Sequence, residues 1–131
     1  MNKTVVMLLL SATFLSCTET IKSKPNFELP KYAASEEEFT STINDADSTS
    51  VGFSYEAKTN IFYSSSANKL VLKVYFNKGK SLKYDFMKKQ FDDIKRNAKQ
   101  QILNLSSYDI LEVQFFNKNI QIQSFEEMLE K

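Results

Sequence analysis

Residues 69–76 (KLVLKVYF) alternate strictly, a long helical stripe follows, and a second alternating run comes after it; this succession constrains the fold more than any other feature. Leu70, Leu72, Val74 and Phe76 fall on one side of an extended chain, with Val71, Lys73 and Tyr75 on the other. That is the pattern of a strand with one face on a core. Met87, Phe91, Ile94, Ala98 and Ile102 then recur at steps of 4, 3, 4 and 4, which predicts one continuous apolar stripe on a helix over about 83–104. Asp109 to Asn117 alternates again, with Leu111, Val113 and Phe115 on one side. Strand, helix and strand in this order form a crossover unit if the strands are parallel.

The flanks add shorter elements. Ser35 followed by Glu36, Glu37 and Glu38 matches a capping box, and acids suit the first turn of a helix, so a short helix is predicted over 36–45 with Phe39 and Ile43 on one face. Val51, Phe53 and Tyr55 alternate with polar neighbours as a half-buried strand. Ile61 and Tyr63 continue that pattern after a turn near Lys58–Asn60, and residues 64–68 read as a loop. Gly79 is the obvious left-handed turn position. Ile120 and Ile122 suggest a further short strand. Ser124 to Glu127 forms a second capping box, which predicts a C-terminal helix with Phe125, Met128 and Leu129 inward. The expected fold class is α+β: a small mixed sheet covered by one long amphipathic helix, with short N- and C-terminal helices.

The N-terminus stands apart from this domain. Asn2-Lys3 is a short positive segment, and Thr4 to Leu15 is an apolar run too short to span about 30 Å of hydrocarbon. Phe14-Leu15-Ser16-Cys17 follows, and Cys17 is the chain's only cysteine. These residues resemble the lipobox of bacterial lipoproteins, the substrates of lipoprotein signal peptidase. The resemblance implies a signal peptide over 1–16, cleavage between Ser16 and Cys17, and lipidation of the Cys17 thiol. Together with abundant Asn, Lys, Ile, Phe and Ser and scarce Gly and Pro, the lipobox makes the chain look like the small lipoproteins of Bacteroidota. The location implied is the bacterial cell envelope, lipid-anchored on the outer membrane or cell surface. Two or three acyl chains on one residue anchor far more firmly than one. Residues 18–35, with Pro25 and Pro30 and no periodicity, read with Cys17 as a tether over 17–35 that holds a domain at 36–131 on the order of 25 Å from the membrane.

Composition limits the chemistry. The chain has no histidine and two glycines. Ser-His and Cys-His nucleophile pairs and imidazole metal sites are therefore excluded, and so is a Gly-rich phosphate cradle. A lipidated Cys17 leaves no thiolate, and one cysteine cannot form an intramolecular disulfide. Neither an enzyme nor a cofactor is expected. The remaining carboxylate pattern is Asp45, Asp47, Thr49 and Glu56, at positions 1, 3, 5 and 12 of a calcium loop, but Ser50 stands where that loop needs glycine. Charge is uneven along the chain: residues 17–57 hold eight acids and three lysines, whereas 69–99 hold ten basic groups and three acids. Lys73, Lys78, Lys80, Lys88 and Lys89 are candidates for an anionic-partner surface, the alternative being plain solvation of exposed faces. The expected function is a membrane-tethered, non-catalytic binding domain whose partner is an envelope protein or polysaccharide and not nucleic acid. The alternatives are a carboxylate- or calcium-dependent envelope enzyme and an inhibitor or immunity-type lipoprotein.

Overall fold

The computed structural model describes residues 24–25, 28–78 and 81–131. Cys17, Ser16, the rest of the segment read as a signal peptide, Gly79 and Lys80 lie outside them. Helix α1 (Glu36–Ser41) leads into strands β1 (Ser48–Thr59) and β2 (Ser64–Phe76), then helix α2 (Tyr84–Gln101), a 3-10 turn (Leu105–Ser107), and strands β3 (Ile110–Asn117) and β4 (Ile120–Met128). The strands form one mixed sheet in the order β1-β2-β3-β4. The outer pairs are antiparallel and the central β2–β3 pair is parallel.

The alternation of β2 and β3 explains the core. Leu70, Leu72, Val74 and Phe76 lie in register beside Leu111, Val113 and Phe115, and all seven are buried. The stripe Met87, Phe91, Ile94, Ala98 and Ile102 packs on them, joined by Phe39 and Ile43 from α1 and the segment after it. In α1 the Glu38 N–H donates to Ser35 Oγ at 3.0 Å, so the capping residue closes the first turn as its sequence requires.

The expected architecture is overturned. Strands of 8 to 13 residues dominate, with one substantial helix and one of six residues, and no C-terminal helix exists among the described residues. Instead Ser124 and Glu126 of the capping box, and Met128 after it, pair in β4 with Gln114, Glu112 and Ile110. Nucleating a helix in the last eight residues is unfavourable, whereas pairing completes the outer edge of β3. It also seats Phe125 among Phe91, Phe115 and Tyr84, at ring distances of 5.4, 5.9 and 5.5 Å. Nor does the long helix cover the sheet. From Tyr55 and Asn68 outward the β1–β2 hairpin has no β3 partner and extends past the body.

Two further differences have local causes. Residues 64–68, read as a loop, are strand, because hairpin pairing of Ser64 to Asn68 with Thr59 to Tyr55 uses backbone groups and needs no apolar alternation. The turn falls later, at Asn60–Tyr63. Helix α2 ends at Gln101 and not near 104, because the N-terminal segment intervenes. Tyr32 forms a β-bridge with Ile102, Ala33 N–H donates to Gln101 O, and Leu103 N–H donates to Lys31 O, the last two both at 2.7 Å. The same segment is held by Tyr108 Oη donating to Glu28 O at 2.5 Å and by Asn104 Nδ2 donating to Leu29 O at 3.0 Å. Part of the stretch read as a tether therefore lies against the domain.

Candidate functional site

Both helices contribute to the core on one side of the sheet, and among the described residues no element packs on the other. That open face follows from the register. Ser54, Lys69 and Ile110 form one row, Gly52, Val71, Glu112 and Glu126 the next, then Ser50, Lys73, Gln114 and Ser124, and last Ser48, Tyr75 and Phe116. Residues at paired positions of adjacent strands share a face, so four strands each contribute polar side chains to one surface.

Lys69 organises it. Its ammonium lies 2.8 Å from Glu56 on β1, 3.4 Å from Glu112 on β3 and 2.5 Å from Glu126 on β4. Three N–H donors face three carboxylates, and one cation on β2 thus links every other strand. The Lys69 side chain is 10% exposed and that of Glu112 is 13%. Burial pushes the ammonium down, but bonds to Glu126 and Glu56 and the charge of Glu112 outweigh it, so Lys69 titrates above its ordinary value. Hydrogen bonds from Lys69, then from Lys58, hold the Glu56 carboxyl down at about 2. Burial raises Glu112, yet Gln114 at 2.7 Å, the Lys69 charge and Ser124 at 3.1 Å leave it below the usual carboxylate range. Lys69, with Lys58 beside Glu56, thus ties three carboxylates from three strands into one ion-pair cluster.

Beside it runs a shallow groove of about 380 Å³ lined by Ser50, Gly52, Ser54, Lys73, Glu112 and Gln114 among others. Gly52 makes the notch: a Cβ there would meet no atom within 4 Å. One row beyond Lys73 and Gln114 on the same face, Tyr75 and Phe116 stack with ring centroids 4.8 Å apart. A groove with hydroxyl, amide and ammonium groups and a neighbouring aromatic pair on the same face suits a partner rich in hydroxyls that also has flat apolar faces.

The residues singled out by sequence are dispersed. Asp45 and Asp47 precede β1, and Asp47 accepts from Asn77 N–H at 2.5 Å. Glu56 lies nine residues after Asp47, about 30 Å away along an extended strand, and its carboxylate is taken by Lys58 and Lys69. The three do not form a calcium loop, and among the described residues no group of three His, Cys, Asp or Glu side chains is placed to hold a metal ion. Of the lysines, Lys73 is on the open face and Lys78 follows β2. Lys88 and Lys89 lie on α2, where Lys88 pairs with Asp92 at 3.1 Å and sits 4.8 Å from the Phe91 ring centroid. They form no common patch.

Sequence reasoning missed Lys69, Glu112, Gln114, Ser124 and Glu126 as one surface. The polar alternation of β2 and β3 was the available signal, but cross-strand register was needed to assemble it, and the helical reading of 124–127 removed two members. Among the described residues no helix is long and apolar enough to cross a membrane. Comparison with protein-family models, with characterised proteins and with solved structures returns no match.

Proposed function

We propose that the chain is a membrane-tethered, non-catalytic binding module of the bacterial cell envelope, anchored through Cys17, whose open sheet face takes an envelope polysaccharide. The observation that carries the binding half is the Tyr75–Phe116 stack one row beyond a polar groove on the same sheet face, which both helices leave uncovered. Aromatic faces pack against the C–H faces of sugar rings, while Ser50, Lys73 and Gln114 offer donors and acceptors for hydroxyls. The anchoring half rests on the Phe14-Leu15-Ser16-Cys17 sequence. The ion-pair cluster at Lys69 favours binding over catalysis, since Glu56 and Glu112 are held below their ordinary values, the reverse of what an acid catalyst requires.

Co-sedimentation of the full-length protein with purified envelope polysaccharide tests this reading. Tyr75→Ala and Gln114→Ala are each expected to weaken retention, by up to about tenfold for the aromatic, with little change in the thermal melt. Retention unchanged in both variants, or capture of one stoichiometric protein without any glycan, contradicts the polysaccharide assignment.

A further inference from the structure

The long hairpin ends in the most exposed apolar residues of the described chain. Ile61 is 93% exposed and Phe62 91%, and Tyr63 follows them. The tip is internally closed. Asn60 Oδ1 accepts from the N–H groups of Phe62 and Tyr63 at 2.8 and 2.9 Å, and Asn60 N–H donates to Tyr63 O at 2.8 Å. Pairing of these three N–H groups within the turn lowers the penalty for entering an apolar medium. Behind the tip come Thr59, Ser64 and Ser65, and the Lys58 ammonium, which is largely exposed although paired with Glu56. Apolar tip, tyrosine, hydroxyls and cation follow in the order of a bilayer from hydrocarbon to headgroup.

The chain also enters the domain at this end. Asn68 Nδ2, at the base of the free hairpin, donates to Lys24 O at 2.8 Å. Exposed Leu29 and Leu103 are at the same end, beside the Lys31–Leu103 hydrogen bond. From Asn68 to Phe62 is six residues of strand and turn, about 20 Å. From Lys24 back to Cys17 is seven residues, at most about 24 Å at full extension. The hairpin's reach falls within that bound.

We infer that the β1–β2 hairpin tip, Ile61-Phe62-Tyr63, is a second membrane contact that inserts into the bilayer to which Cys17 is anchored. The proposal rests on the anchoring half of the functional reading. It fixes orientation: with the hairpin in the lipid interface, the sheet stands on the membrane by one end and its open face looks sideways into the envelope. A two-point attachment holds the domain in one orientation where a single anchor would not.

The chain contains no tryptophan, so Phe62→Trp supplies one indole at the tip. The full-length Phe62→Trp protein, purified from cell membranes, is reconstituted into phosphatidylethanolamine–phosphatidylglycerol vesicles with and without acyl-chain bromination. The emission of the tip indole is expected to shift to the blue and to lose most of its intensity in brominated vesicles. Adding Ile61→Ser is expected to lower partitioning of the tip about tenfold and to restore much of that emission. Tyr84→Trp, at the opposite end of the sheet, is expected to stay unquenched. An unquenched indole at position 62, or equal quenching at 62 and 84, overturns the proposal. Palmitate labelling of the same samples separates the two readings. Label at Cys17 with an unquenched tip sinks the insertion alone. Absence of label sinks the anchor, and quenching by added vesicles then judges the tip by itself.

Discussion

Lys69 shows how one residue can decide the character of a face. Strand alternation turns its side chain away from the core, and register brings Glu56, Glu112 and Glu126 around it from three other strands. Removing the cation leaves Glu112 nearly buried without its charge partner. Lys69→Met is therefore expected to lower stability at neutral pH by about 2 kcal/mol, less than a fully buried pair because Glu56 and Glu126 reach solvent. The pH dependence carries the same signature. Glu56 and Glu112 titrate below the ordinary 4.5 in the folded chain, so their contribution is present above about 4.5 and is lost as pH falls through the folded values, toward about 2 for Glu56. The raised ammonium contributes below its ordinary 10.5 and fades only above it. Urea titrations at several pH values should show the gap between wild type and Lys69→Met closing from pH 4.5 toward 2. A gap that holds constant would remove the cluster from the acid response.

At the scale of elements, the sheet is pinned where parallel strands begin. Asp109 N–H donates to Asn68 O and the Asp109 carboxylate accepts from Asn68 N–H, both at 2.8 Å, with Lys131 2.6 Å from the same carboxylate. Asp109→Ala strips an acceptor from a buried N–H and is expected to cost about 2 kcal/mol in chemical denaturation, with Asp109→Asn clearly milder because its amide oxygen can still accept. The β3–β4 turn shows the opposite situation. Lys118 and Asn119 both adopt positive φ, 50° and 64°, in a two-residue hairpin where glycine is the favoured residue. Lys118→Gly should raise the melting temperature, with a gain of about 1 kcal/mol; a loss would mean that the lysine side chain supports the turn in some other way.

These elements also show what the chain made legible. The strands at 69–76 and 110–117 and the helix between them could be read because each buries one face, and burial leaves a period in the sequence. Ser124–Glu127 misled because a capping box is local chemistry, while the choice between helix and strand there was made by Phe125 finding Phe91 and Phe115. Hairpin residues 64–68 carry no apolar period, so their pairing leaves no trace in composition. The open face was illegible for a related reason: Lys69, Glu112 and Glu126 are far apart in the chain and become neighbours only through register.

For the molecule as a whole, the features divide between its ends and faces. One face of the sheet holds the core beneath two helices, and the other carries the groove and the aromatic stack. One end carries the hairpin tip and the entry of the N-terminal segment at Lys24. The proposed envelope binding module would use this division to keep the surface that meets a partner apart from the one that meets the membrane. The proposed roles of face and end rest on the proposed anchoring of the chain at a bilayer through Cys17. The direct measurement is metabolic labelling of cells with a palmitate analogue, followed by capture of the full-length protein and its Cys17→Ala variant. The account predicts label on the wild-type chain and none on the variant. Equal label on both, or none on either, contradicts it.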